Sequence, residues 1–208
     1  MIHHFPNFVC WKEIYKIYNE SRDQVYLDSI SCYVLGLLFG IKGNYFSGPE
    51  MAYSLAKKPL GDFHFLLSEE IRDIENTKKL VLPFKESFID DKSVLEFINS
   101  IPINGKVILG ISSPKQNVLA NYLFSVRSDL EYFCLGAAVK QTWGFKGANT
   151  RLRGTGFQWV EFLLFQPRRT IEKQAKTIFE AFTILFSPKR IKQFREFVAI
   201  TKKNELTK

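Results

Sequence analysis

Short apolar runs alternate with amphipathic segments between residues 62 and 138. Residues 93–101 and 116–126 carry apolar side chains at helical spacing. Because strands that are apolar on both sides must be covered on both faces, the order predicts an α/β fold with a Rossmann-like parallel sheet and helices on both faces. The apolar runs have the length and the β-branched or aromatic content of strands: 62–67 (DFHFLL), 79–84 (KLVLPF), 106–111 (KVILGI) and 131–138 (EYFCLGAA).

The flanks of this region follow different patterns. Residues 7–21 predict an amphipathic helix, and residues 24–29 (QVYLDS) predict a strand that ends in the carboxylate of Asp28. The C-terminal quarter of the chain has a helical pattern, with interruptions at Pro167 and Pro188.

The positive charge is concentrated in the C-terminal quarter. The chain has a formal net charge of +8. Residues 1–150 carry 16 Lys or Arg and 16 Asp or Glu, whereas residues 151–208 carry 13 and 5. We therefore expect an α/β core over residues 1–150 and a basic, amphipathic helical appendage over residues 151–208. The anionic partner of that appendage is a membrane, a nucleic acid or a phosphorylated ligand.

Residues 157–186 predict amphipathic helices that lie on the anionic cytoplasmic face of a membrane. The alternative is that their apolar side packs on the core of the protein or on another subunit, as such stripes usually do. Two sets of residues define the prediction, an apolar set (Trp159, Phe162, Leu163, Ile171, Ile178, Phe179, Phe182 and Leu185) and a cationic set (Arg168, Arg169, Lys173 and Lys176).

The cysteines and the apolar content suggest a location. Cys10, Cys32 and Cys134 are far apart and odd in number, which is typical of a reducing compartment. The N-terminal residues do not have the pattern of a signal peptide. The longest apolar run, residues 32–41, is half of the ~20 residues that a membrane span needs. We expect a cytoplasmic protein that lies peripherally on the membrane.

Ligands of open parallel sheets bind beyond the carboxyl ends of the strands, where three segments are candidates. They are Asp28, residues 110–116 (GISSPKQ) and residues 135–138 (LGAA). A helix start at Pro114 beside Lys115 favours a phosphate, and the small residues of 135–138 allow a flat ring to approach the backbone. Structural alternatives are a turn or N-cap carboxylate for Asp28 and a capped helix start for 110–116.

The histidines do not predict a metal site. We expect His3 and His4 to belong to a mobile terminus, and His64 lies within a predicted strand without a carboxylate or cysteine at ligand spacing. The sequence also lacks the motifs of phosphate-binding loops, dinucleotide-binding turns, nucleophile elbows and zinc metalloproteases.

Three segments resemble, in their order, the WecG/TagA/CpsF glycosyltransferases, which form glycosyltransferase family 26. Residues 110–116 (GISSPKQ) are similar to the family's Gly-x-Gly/Ser-x-Pro-Lys-Gln, and residues 134–144 (CLGAAVKQTWG) to its small-residue cluster. Residues 156–169 (GFQWVEFLLFQPRR) are similar to its C-terminal GLEW…EPRR segment. Further upstream, residues 27–51 place Asp28 on the family's aspartate, and residues 5–8 (FPNF) place Asn7 on its asparagine.

The resemblance implies an inverting transfer of a sugar, of the N-acetylmannosamine type or a related hexose, from a UDP-sugar. The acceptor would be an undecaprenyl-diphosphate-linked saccharide used for surface polysaccharide or teichoic-acid synthesis, and no metal or other cofactor would be essential. Asp28 would be the catalytic base. Substrate contacts are implied for Asn7, Gly110, Ser113, Pro114, Lys115, Gln116, Gly136, Ala137, Arg153, Arg168 and Arg169.

Departures from the family pattern support a second hypothesis, a catalytically silent partner that recruits another transferase to the membrane. The usual arginine is replaced by Tyr45, the glutamate after Pro-Lys-Gln by Asn117, and a Phe-Asp pair by Val139 and Lys140. A third hypothesis is a nucleic-acid-binding protein, suggested by the positive charge and opposed by the apolar character of the basic segment. Turnover of a UDP-sugar separates the first two hypotheses, and salt-sensitive nucleic-acid binding tests the third.

Overall fold

The computed structural model describes residues 1–208 except 9, 29, 59–62, 72, 75–76, 83–88, 90, 145–163, 165–166 and 204–208. The described residues form a six-stranded parallel sheet in the order β2-β1-β6-β5-β3-β4, and the predicted α/β, Rossmann-like fold is confirmed. The strands are β1 (Ile2–His4), β2 (Asp23–Val25), β3 (Phe63–Leu67), β4 (Lys79–Val81), β5 (Lys106–Gly110) and β6 (Glu131–Cys134).

Eight helices lie in the described part of the chain. They are α1 (Trp11–Ile17), α2 (Ile30–Leu38), α3 (Gly48–Ala56), α4 (Lys92–Asn99), α5 (Lys115–Val126), α6 (Ala137–Trp143), α7 (Pro167–Leu185) and α8 (Pro188–Lys203). The predicted helix breaks coincide with two of these bounds, because Pro167 is the first residue of α7 and Pro188 is the first residue of α8.

The centre of the sheet forms where apolar residues fill both faces. Val107, Ile108 and Leu109 of β5 are fully buried, as expected for a parallel strand covered on its two sides. Helix α4 begins at an N-cap, where the carboxylate of Asp91 accepts a hydrogen bond from the Ser93 amide at 3.0 Å. Val94 and Ile98 of α4 are buried, so the helical spacing of this segment faces the core as predicted.

The chain divides into two compact units. Unit 1 consists of Met1–His4, Ile17–Gln24 and Gly48–Ala148, and unit 2 consists of Phe5–Lys16, Val25–Ser47 and Asn149–Lys208. The C-terminal residues thus share a unit with two N-terminal segments, and the predicted boundary at residue 150 lies outside the described residues.

An aromatic cluster joins N-terminal and C-terminal segments within unit 2. The indole of Trp11 meets the ring of Phe194 edge-on at 5.4 Å and the ring of Phe197 at 5.6 Å. Phe8 stacks on Phe194 at 5.8 Å, and all four side chains are buried. Burial of this apolar surface holds α8 against Phe8 and the first residue of α1.

The expectation that His3 and His4 are mobile was wrong. Both side chains are buried in β1, which pairs with β6 so that His3 lies beside Phe133 and His4 beside Cys134. A three-residue strand is too short to show a period, and its order comes from pairing with a distant strand.

The predicted strand over residues 24–29 is shorter in the structure. Strand β2 ends at Val25, and Leu27 forms an isolated parallel bridge with Tyr45. Asp28 therefore follows this bridge and does not end a strand of the sheet. The predicted strand over residues 131–138 likewise ends at Cys134, because α6 begins at Ala137.

Candidate functional site

In unit 1, two of the predicted ligand segments meet where β5 and β6 end. The amides of Leu135 and Gly136 donate to the carbonyl of Leu109 at 3.2 and 2.9 Å, which joins residues 135–138 to the end of β5. Gly136 has a φ of 54°, and a Cβ there would lie 3.3 Å from the carbonyl oxygen of Ile111. Glycine thus allows the close approach of these two segments.

The side chain of Gln116 lies against this junction. It is 3% exposed, and its Nε2 donates to the carbonyl of Cys134 at 3.0 Å. Its Oε1 has no hydrogen-bond partner among the described residues. A buried acceptor without a donor is costly, so Oε1 of Gln116 keeps the capacity to accept one hydrogen bond.

The space beside the Cα of Gly110 is filled by protein side chains. A Cβ at this position would lie 2.7 Å from Cδ2 of Leu67 and 3.3 Å from Cβ of Val139. Its carbonyl accepts from the hydroxyl of Ser68 at 3.2 Å. The absence of a side chain at Gly110 therefore serves the packing of β5 against β3 and α6.

The helix start predicted at Pro114 is present. Pro114 is the N-cap of α5, and its carbonyl accepts from the amide of Asn117 at 3.0 Å. Lys115 is half-buried in the first turn, and Ala137 is exposed at the start of α6. Helix α5 thus turns its positive dipole end toward residues 112–115, as an anion-binding segment would.

A line of four polar side chains leads from this segment into unit 1, and the sequence analysis did not identify it. The hydroxyl of Ser113 donates to Oδ1 of Asn117 at 2.9 Å, and Nδ2 of Asn117 lies 2.9 Å from Nδ1 of His4. Nε2 of His4 faces Oδ1 of Asp23 at 3.8 Å. We refer to Ser113, Asn117, His4 and Asp23 as the polar line.

All but the first member of the polar line are buried. Burial lowers the pKa of the His4 imidazole below its ordinary value, and the neighbouring Asp23 carboxylate opposes this shift only in part. The Asp23 carboxylate accepts from the amide of Asn19 at 2.8 Å and from Nε of Arg22 at 3.1 Å. Only the spacing of Ser113 and Asn117 on one helix start was visible in the sequence, because the other members lie about a hundred residues away.

In unit 2, the structure brings the segments of Asn7 and Asp28 together. The amide of Asp28 donates to the carbonyl of Pro6 at 3.0 Å, and Asp28 is half-buried. The carbonyl of Asn7 accepts from the amide of Trp11 at 3.0 Å, so Asn7 forms the turn that precedes α1. The ring of Tyr45 lies 6.0 Å from that of Tyr33.

The predicted arginines are placed only in part. Arg153 lies outside the described residues, as do Trp159, Phe162 and Leu163. Arg168 is exposed near the start of α7 and forms an ion pair with Glu172 at 3.2 Å. Arg169 is a residue of the same helix. The Arg168 pair connects two exposed positions one turn apart, which contributes little to stability.

Helix α7 exposes its apolar side. Five predicted apolar residues, which we name the α7 stripe, are between 43% and 70% exposed: Ile171, Ile178, Phe179, Phe182 and Leu185. The opposite side packs within unit 2 through the buried Ile184 and through Glu180, whose carboxylate lies 2.5 Å from Nζ of Lys12. These five side chains therefore do not pack on the part of the protein's core that the structure describes.

Metal sites and membrane-spanning helices are absent from the described residues. No group of three or more His, Cys, Asp or Glu side chains there is arranged to hold a metal ion. Within the same residues, every helix is too short or too polar to span a bilayer.

Comparisons of the chain with protein-family models, with curated proteins and with solved structures found no match.

Proposed function

We propose that the protein is an inverting glycosyltransferase that moves a sugar from a UDP-sugar to a lipid-diphosphate-linked acceptor at an anionic membrane surface. The observation that carries this proposal is the convergence of residues 110–116 and 135–138 at the carboxyl ends of β5 and β6. Ligands of parallel sheets bind at this edge, and these are two of the segments on which the family resemblance depends.

Unit 1 would bind the nucleotide part of the donor. Gln116 offers a buried acceptor for a ligand N–H or O–H group, and the N-terminal end of α5 with Lys115 offers positive potential for the diphosphate. Bringing a donor to the unpaired Oε1 of Gln116 would remove the penalty of leaving it unsatisfied.

The proposed transfer also needs a catalytic base. An inverting transfer needs one carboxylate to take the proton of the acceptor hydroxyl as its oxygen attacks the anomeric carbon, while the nucleoside diphosphate leaves with the bonding electrons. Asp28 is our candidate for this carboxylate. Arg153, Arg168 and Arg169 are the proposed cations that stabilise the charge of the leaving diphosphate.

The membrane part of the proposal is supported by the exposure of the α7 stripe together with the positive charge of residues 151–208. An amphipathic helix with an apolar side and flanking cations binds anionic lipid through both features. The second candidate, a silent recruiting partner, shares this surface. It is favoured by Tyr45, which offers a phenol where the resembled family has a cation.

Transfer from UDP-sugars to a short, water-soluble lipid-diphosphate analogue tests the enzyme proposal. Asp28→Asn should lower the transfer rate by about 10²–10⁴-fold and leave UDP affinity unchanged, since it removes a proton acceptor and keeps the shape. Asp73→Asn, which changes a carboxylate that is 93% exposed, is the matched control and should transfer normally. Normal transfer by Asp28→Asn would exclude Asp28 as the base, and a parent protein that binds UDP but transfers no sugar would favour the silent partner.

A further inference from the structure

The order of hydrogen-bond donors and acceptors along the polar line is set at its buried end. Asp23 is fully surrounded, and its carboxylate accepts from the Asn19 amide and from Arg22. A neutral His4 carries its hydrogen on one ring nitrogen. If Nε2 carried a lone pair, that lone pair would face the Asp23 carboxylate at 3.8 Å across a buried space, where repulsion is strong. The hydrogen of His4 is therefore on Nε2.

This tautomer orients the next two groups. Nδ1 of His4 is then an acceptor, so Asn117 must present its Nδ2 hydrogens to it at 2.9 Å. The amide orientation of Asn117 is fixed in consequence, and its Oδ1 faces Ser113. Ser113 has a single hydroxyl hydrogen, and that hydrogen is donated to Oδ1 at 2.9 Å.

The Oγ of Ser113 has therefore donated its only hydrogen to Asn117, and it presents only lone pairs toward solvent. It is exposed at the carboxyl end of β5, between Gly110 and the start of α5. A phosphate oxygen is itself an acceptor and gains nothing from a second acceptor, whereas a ligand hydroxyl or N–H group would bind to it.

We propose that Ser113 is a specificity-determining residue that accepts a hydrogen bond from a hydroxyl or N–H group of the nucleotide sugar, with Asn117 and His4 as positioning residues that hold it as an acceptor. This inference rests on the proposed function and deepens it. It assigns the phosphates of the donor to the backbone of α5 and to Lys115, and it assigns Ser113 to the base or to a sugar.

Binding to matched ligands tests the role of Ser113. Ser113→Ala should weaken UDP-sugar binding in calorimetry by about three- to tenfold, the worth of one neutral hydrogen bond. The matched control, Ser128→Ala, removes an exposed hydroxyl beyond the C-terminal end of α5 and should bind like the parent. Binding of P1,P2-dimethyl pyrophosphate should be the same in both variants and in the parent, because this diester carries no hydroxyl hydrogen at neutral pH.

Two more ligands, UDP and N3-methyl-UDP, show which part of the nucleotide sugar donates the hydrogen bond to Ser113. A loss that appears already with UDP and disappears with N3-methyl-UDP assigns the contact to the imide N–H of the base. A loss seen only with the UDP-sugar assigns it to a sugar hydroxyl. Equal affinity of Ser113→Ala and the parent for every nucleotide, or a loss seen with P1,P2-dimethyl pyrophosphate, overturns the proposal.

A measurement without ligand separates this inference from the proposed function. Nitrogen NMR of the parent at neutral pH should show His4 with its hydrogen on Nε2, and Asn117→Leu should change the Nδ1 signal of His4. A hydrogen on Nδ1 or a charged imidazole would overturn the orientation of Ser113. If the parent shows the expected tautomer but binds no nucleotide, the proposed function and the assignment of Ser113 to a nucleotide sugar both fail, while the polar line stands.

Discussion

Replacement of two phenylalanines of the α7 stripe should strongly weaken membrane binding without unfolding the protein. Phe179 is 70% exposed and Phe182 is 54% exposed. Full burial of a phenylalanine side chain is worth about 1.5–3 kcal/mol, so transfer of these exposed fractions into lipid is worth about 2–4 kcal/mol for the pair. Phe179→Ser/Phe182→Ser should therefore weaken binding to anionic vesicles by about 30-fold or more.

The same exposure predicts that folding is hardly affected. Substitutions of exposed residues usually change the free energy of unfolding by no more than about 0.5 kcal/mol, so the urea midpoint of the double variant should stay near that of the parent. Ile103→Ser/Val126→Ser is the matched control, since it removes two apolar side chains of unit 1 that are 76% and 43% exposed. This control should bind vesicles as the parent does.

Flotation with phosphatidylglycerol and phosphatidylcholine vesicles is the assay. Binding should require the anionic lipid and fall with added salt. It should also drop by over tenfold in Arg168→Glu/Lys176→Glu, because each cation near the surface contributes about 1 kcal/mol. Equal flotation of the parent and of Phe179→Ser/Phe182→Ser, or an equal loss in the control pair, would refute the membrane role of the stripe.

Two further predictions concern unit 1. Gly110→Ala should lower the free energy of unfolding by about 1–3 kcal/mol, because its Cβ would lie 2.7 Å from Cδ2 of Leu67; an unchanged urea midpoint would contradict this packing role. Acid should destabilise the fold through His4, whose lowered pKa means that the unfolded chain binds more protons below its ordinary value of 6.5. Stability should be complete above that pH and decline as the pH falls, and His4→Gln should reduce the slope of this decline. A slope that is the same in His4→Gln and in the parent would exclude His4, which is faced by Asp23 and Arg22, as its source.

Local sequence patterns predicted four elements of the central part of the fold. The runs at 62–67 and 106–111 became β3 and β5, and the segments at 93–101 and 116–126 became α4 and α5. The two strands are continuous apolar runs and the two helices repeat apolar residues at helical spacing, and both patterns are long enough to be recognised in isolation. Helices α2 and α3 were not predicted from the sequence, although the apolar run at 32–41 overlaps α2.

The outward direction of the α7 stripe depends on the tertiary structure. The sequence determined that α7 is a basic, amphipathic helix, but such a helix usually turns its apolar side inward. Here the inward side is defined by Ile184 and by the ion pair of Glu180 with Lys12. Lys12 is distant in sequence, so no pattern within α7 indicates this orientation.

The polar line and the roles of the glycines were decided in the same way. The sequence alone determined which segments follow the strands of the sheet, and residues 110–116 and 135–138 do meet there. Only the tertiary structure placed His4 beside Asn117 and Leu67 against Gly110. The physical reason is the sequence distance between the partners. Apolar periodicity is a property of consecutive residues, whereas the partner of the buried imidazole and the neighbour of Gly110 are set by strands that are distant in sequence, β1 with β6 and β3 with β5.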